Sequence, residues 1–128
     1  MYRLINISNH PSSEWTEQQK FGWDEIVDIP FPQIDPKDSV WTVEEQAQRL
    51  FKEILKQGWT DNGIRVAIQG EYTLCYILMG LIYRWNGALE PPIQVFVPVF
   101  EEKVVEKVQL DGSLKKVVIS KFVRWREI

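Results

Sequence analysis

Between Thr42 and Phe100 the hydrophobic period changes three times, and that alternation restricts the fold more than any other feature of the chain. Val43, Ala47, Leu50, Phe51, Ile54 and Leu55 recur at helical spacing, with Glu44, Glu45, Arg49, Lys52, Glu53 and Lys56 on the outside. Thr42 and Glu45 have the spacing of a capping box, and Gly58 closes the helix. "GIRVAIQG", from Gly63, then reads as a strand that gives way at Gly70 to an apolar helix ending near Trp85, with Asn86 and Gly87 as its stop. After Pro91 and Pro92, "IQVFVPVF" is again a strand. Helix and strand alternating in this way predict a parallel sheet with helices on its faces.

The flanking segments extend the pattern. "YRLINIS" is a first strand ending at Asn9; "SSEWTEQQKFGW" is a short helix with Ser12 or Ser13 as N-cap and Gly22 near its end. "EIVDIPFP" is a second strand stopped by Pro30 and Pro32, followed by the loop "QIDPKDSVW". "KVVEKVQLDGSLKKVVISKFVRW" alternates in two runs around Asp111 and Gly112, the signal of a type I′ hairpin. The expected fold is therefore α/β: a small Rossmann-like, mostly parallel sheet with helices on both faces and a C-terminal antiparallel β-hairpin. The 128 residues suffice for one domain over 1–128, with the hairpin as an extension at about 101–128. The helix from Tyr72 is apolar on almost every side, so more than one neighbour should cover it, a partner chain being one candidate.

Several function classes are disfavoured. A net charge of −3 argues against coating long DNA or RNA, which relies on many exposed Lys and Arg. A small nucleotide remains open, because backbone N–H groups at helix starts can hold a few phosphates. The single cysteine, Cys75, excludes a disulfide framework within one chain and reads as a core residue. With one histidine there is no protein-only zinc site of the usual type; there is also no P-loop, nucleophile elbow or GxGxxG fingerprint. No metal and no cofactor are expected. The run Tyr72–Tyr83 is too short to cross a bilayer and "MYRLINIS" lacks a signal-peptide pattern, so a cytoplasmic protein without membrane contact is expected.

In a parallel sheet ligands sit at the carboxyl ends of the strands. The loop Ser8, Asn9, His10, Pro11, Ser12 and Ser13 lies at such an end and offers hydroxyls, an amide, an imidazole and backbone donors. It can cradle a phosphate through Ser12 and Ser13. His10 suits proton transfer in either direction, because the unperturbed imidazole side chain as a type titrates at about 6.5. The same residue types also make plain turns and caps. At "AIQGEYTL", Gly70 lets a ligand approach the backbone, while Glu71 and Thr73 fall in the next helix's first turn. A carboxylate at Glu71 suits the helix dipole but repels phosphate, so it would accept from an adenine amino group or a ribose hydroxyl. Phe31, between Pro30 and Pro32, is placed either to stack on a base or to tuck into the core. In "FVRWREI", alternation puts Phe122, Arg124 and Arg126 on one face and Val123 and Trp125 on the other.

On "NISNHPSSEW", "IVDIPFPQIDP", "IQGEYTL" and "FVRWRE" the sequence resembles small CRISPR-associated accessory proteins of type III systems, related to CARF domains. The resemblance runs over most of the chain, and N-x-S-N-H-P, Asn6 to Pro11, is its most specific part. It implies a Rossmann-like fold, a homodimer, and binding of the second messenger cyclic tetra-adenylate. It further implies ring-nuclease activity, in which a ribose 2′-hydroxyl attacks its own phosphodiester without a metal. Matching the motif carries over Ser8, Asn9, His10 and Ser12 first, then Gly70, Glu71 and Thr73, with His10 and Ser12 as the expected catalytic pair. Two alternatives stand beside it: a protein that binds the cyclic oligoadenylate without cutting it, and a module that docks a CRISPR complex through its apolar helix and hairpin.

Overall fold

The computed structural model describes residues 2–58, 63–87 and 92–128. A five-stranded sheet has the order β2-β1-β3-β4-β5, built from β1 (Arg3–Ser8), β2 (Glu25–Pro30), β3 (Ile64–Gln69), β4 (Ile93–Val108) and β5 (Leu114–Glu127). The first four strands run parallel, and β5 returns antiparallel to β4. The helices are α1 (Glu17–Lys20), α2 (Val40–Lys56) and α3 (Tyr72–Asn86). The expected mixed α/β architecture, with its C-terminal antiparallel hairpin, is what the chain forms. Among the described residues no helix is long and apolar enough to cross a membrane.

Strand order decides which face each connection covers. The chain steps one way from β1 to β2 and the other way from β2 to β3, and right-handed crossovers then place the two connections on opposite faces. The packing follows. Helices α2 and α3 bury Val43, Ala47, Leu50, Leu74, Leu78 and Ile82 against Ile5, Ile7, Val66, Ile68, Ile93 and Val95. The α1 segment covers the other face, where Trp15 and Trp23 meet Leu4, Ala67, Ile26 and Phe96. Both faces being covered explains why β1 is buried at every position from Leu4 to Ser8. The change of direction falls between β1 and β3, and the loops leaving their carboxyl ends part there to opposite faces, opening a crevice.

Several local expectations are corrected. Helix α2 starts at Val40 with Ser39 as N-cap, its Oγ accepting from the Thr42 N–H, rather than at Thr42. Val40 and Trp41 are exposed, so the buried stripe carries no trace of that first turn. The expected helix from Ser12 or Ser13 is split. Ser12–Glu14 is a 3₁₀ turn, the chain extends at Trp15 to bury its indole, and α1 begins after Thr16, which forms a capping box with Gln19. Gly87 ends α3 without leaving the right-handed region, while the Asn86 side chain bridges the Ile93 N–H and carbonyl. Pro91, expected to help set off the next strand, lies outside the described residues.

The C-terminal third departs further. Strand β4 does not stop at Phe100; it runs unbroken to Val108, so one strand serves both the parallel part of the sheet and the hairpin. Its turn is not type I′. The Gly112 N–H donates to the Gln109 carbonyl at 2.9 Å and the Gln109 N–H to the Ser113 carbonyl at 2.8 Å. Gly112 has φ +84 and among the described residues no non-glycine has positive φ, so Asp111 cannot be the first residue of a type I′ pair. A register shift between Val99 and Phe100 places Val99 opposite Arg124 and Phe100 opposite Phe122. Val123 is thus the extra residue of a bulge, which overturns the strict alternation expected here. Phe122 and Trp125 share a face, ring centroids 5.4 Å apart. On α3, α2 supplies part of the second cover through Phe51 against Trp85, whereas Tyr72, Tyr76 and Tyr83 stay exposed.

Candidate functional site

The loop after β1 and the β3–α3 junction meet at one rim. Ser8 pairs with Gln69 in the ladder, and the Asn9 N–H donates to the Gln69 carbonyl at 3.3 Å. The two segments singled out from sequence are therefore neighbours.

Two residues that sequence reasoning passed over hold the loop in shape. Asn6, 1 % exposed, lies opposite Asp28 in the register of β1 and β2. Its Nδ2 donates to the His10 carbonyl at 3.0 Å and to Asp28 Oδ1 at 2.9 Å. The Ser8 hydroxyl lies 2.8 Å from Asn6 Oδ1 and 2.9 Å from the His10 carbonyl oxygen, either of which takes its single proton, and it accepts from the His10 N–H. The Trp15 indole N–H also donates to the His10 carbonyl, at 3.2 Å. Asp28 further accepts from the Ser12 N–H and, at 2.8 Å, from the Ser12 hydroxyl. The signal was present as two polar residues interrupting "RLINIS" and "EIVDIP", but only strand pairing brings them together.

This network changes the meaning of the loop. The Asn9, His10 and Ser12 N–H groups and the Ser8 and Ser12 side chains are all engaged within the protein, so the expected phosphate cradle is not what these groups form. Ser13 is exposed on the short 3₁₀ turn. What the network does is present the His10 imidazole to solvent from a pinned backbone.

The second junction is likewise occupied. A Cβ on Gly70 would lie 2.4 Å from Cε2 and Cζ of Phe31, so the glycine leaves room for that ring and not for a ligand. Phe31 packs against the core and borders a cavity of about 290 Å³ with Asn9, Pro11 and Asp28. Glu71 caps α3, its carboxylate accepting from the Thr73 N–H at 3.1 Å and the Leu74 N–H at 2.8 Å. The bond from Leu74 holds the Glu71 carboxyl below its ordinary range. One turn on, burial first and the Glu71 charge second push the half-buried Cys75 thiol up to about 11.

The open space lies on the α1 side of the rim. A groove of about 370 Å³ is bordered by His10, Glu14, Trp15, Gln19, Gln69, Phe100 and Ser120. It joins the β1 loop to the base of the β4–β5 hairpin, and of these residues only His10 was expected. Nothing in the sequence ties Phe100 or Ser120 to His10, because the bulge and the length of β4 decide where they fall. An exposed imidazole beside amides, a hydroxyl and aromatic rings can transfer a proton to or from a ligand seated on the rings. Among the described residues no cluster of three or more His, Cys, Asp or Glu side chains is placed to hold a metal ion.

A family model described as "Uncharacterized protein MJ1673 family" matches residues 2–126. No curated protein and no solved structure matches the chain.

Proposed function

The chain belongs to the MJ1673 family, and we propose that its rim groove binds cyclic tetra-adenylate and opens the ring, the ring-nuclease activity implied by the likeness of the N-x-S-N-H-P run to type III CRISPR-associated proteins. One observation carries the reading: the exposed His10 imidazole borders a groove at the sheet's switch point, on a loop fixed by partly buried hydrogen bonds. In the reaction a ribose 2′-oxygen attacks the adjacent phosphorus and the 5′-oxygen leaves. The 2′-hydroxyl proton goes to a base and the leaving oxygen gains a proton, giving a 2′,3′-cyclic phosphate and a 5′-hydroxyl. In-line positioning and proton transfer supply the acceleration, and His10 is the group that moves the proton. Ser12 acts by position, since its hydroxyl is tied to Asp28. Two subunits meeting at their rims match a ring of four with two-fold symmetry, so the working form is a homodimer, in the cytoplasm.

A second reading, capture of the ring without cleavage, has its own support. Among the described residues bordering the groove there is no lysine or arginine, and Glu14 stands on its edge, so little there offsets charge developing on phosphorus. Incubating the purified protein with cyclic tetra-adenylate in excess chelator and resolving the products separates the two. Linear fragments are expected, and His10→Ala should slow their formation by about 100-fold or more while binding holds. Intact ring retained by the protein selects the capture reading; neither cleavage nor retention rejects both.

A further inference from the structure

Gln19 points to what the groove takes. Its side chain is 9 % exposed, and its amide oxygen is committed: Oε1 accepts from the Thr16 N–H at 3.0 Å in the capping box of α1. Nε2 shares a planar carbon with that oxygen, so the cap that holds the oxygen fixes the nitrogen as well, and Gln19 borders the groove. Among the described residues no acceptor meets that nitrogen. It is a fixed donor without an internal partner, on a residue that lines the groove.

The surroundings favour a flat ring over a phosphate. Trp15, Trp125, Phe122 and Phe100 form a row, with successive ring centroids 5.1, 5.4 and 5.9 Å apart, and Phe100 at its end is 39 % exposed beside the groove. Gln69 adds a second amide, half-buried and without a side-chain partner among the described residues. Aromatic surface below and neutral amides at the edge match a heteroaromatic ring that carries hydrogen-bond donors and acceptors around its perimeter.

We infer that the groove is a nucleobase subsite: the base stacks on Phe100, a ring nitrogen accepts from Gln19 Nε2, and the Gln69 amide pairs with an adjoining donor and acceptor. Adenine offers such a neighbouring pair in its 6-amino group and N7, which an amide meets with two hydrogen bonds. This rests on the nucleotide reading above and specifies which part of the ligand the groove holds. The base occupies the groove, and the ribose and phosphate lie at its mouth beside His10. The phosphate-holding role expected of the Ser8 to Ser13 loop passes to no group inside the groove.

Titration of the full chain with cyclic tetra-adenylate, and separately with adenosine, tests this, using the summed fluorescence of the six tryptophans as one readout and calorimetry as the other. Gln69→Leu and Phe100→Ala should each weaken both ligands by roughly tenfold or more. Gln19→Glu keeps an oxygen for the Thr16 cap, so α1 stays formed, but removes the donor; it should weaken binding by about tenfold with unchanged far-ultraviolet circular dichroism. Binding of the ring unaffected by all three substitutions overturns the base subsite and leaves the ring reading standing. Adenosine binding sensitive to them, with no affinity for the ring, supports the subsite and overturns the ring reading. Absence of binding to either ligand overturns both.

Discussion

Replacing Asn6 by Ala removes the hub of the rim. Its amide makes two donated bonds and accepts or shares a third, all within a side chain that is 1 % exposed. At about 1 kcal/mol net for each hydrogen bond, three lost bonds amount to about 3 kcal/mol. The Ser8 hydroxyl still has the His10 carbonyl as an acceptor, and that carbonyl keeps the Trp15 indole, which brings the expected loss to about 2–3 kcal/mol. With an unfolding entropy near 2.1 cal/mol/K per residue, a chain of this length should lose about 7–11 °C in melting temperature. Urea unfolding followed by tryptophan fluorescence gives the free energy, and amide exchange at His10 and Ser12 reports the loop locally. Asn6→Asp sharpens the test, because it sets a second carboxylate against Asp28; its deficit relative to the parent should shrink as acid protonates one of the two. An Asn6→Ala protein within 0.5 kcal/mol of the parent, with His10 and Ser12 amides exchanging as before, would refute the claim that this network holds the loop.

Other consequences are equally open to measurement. Gly70→Ala drives a methyl into the Phe31 ring and should cost about 1–3 kcal/mol, most of it recovered when Phe31→Ala is added; a double-mutant cycle without coupling would show that the ring is not what the glycine accommodates. Glu71 has a folded-state pKa below its unfolded one, so its cap contributes above the unfolded value and is lost as pH falls through the folded value. Glu71→Ala should therefore destabilise the protein at neutral pH, with a difference that closes in acid; a pH-independent gap in denaturation midpoints contradicts this. Cys75, its thiol raised to about 11, should react with a maleimide at pH 7 far more slowly than a free thiol and speed up on unfolding, and labelling at the rate of free cysteine would show the site to be open.

Local chemistry alone determined the elements and most of the fold. The helical stripe from Val43 to Ile54 and the β-branched runs at Ile64 and Ile93 name their own secondary structure, because burying one face demands that periodicity. Their alternation leaves a parallel sheet as the economical arrangement, and the rim position of His10 follows from that. Caps and strand ends were less legible: α2 starts after Ser39 rather than at Thr42, and the Val40 and Trp41 of its first turn are exposed, so they fall off the buried stripe that marks the rest of the helix.

What only the tertiary structure decided is the identity of the groups around the imidazole. Asn6 meets Asp28 through the register of two strands, Phe31 lands on Gly70 across the rim, and the bulge at Val123 turns Phe122 toward Trp125. Gln19 and Phe100 reach the same groove from opposite ends of the chain. Residues far apart in sequence share no periodicity that would reveal them. Pairing register, crossover direction and the run of β4 past its parallel neighbour set those distances, and they exist only once the whole chain has packed.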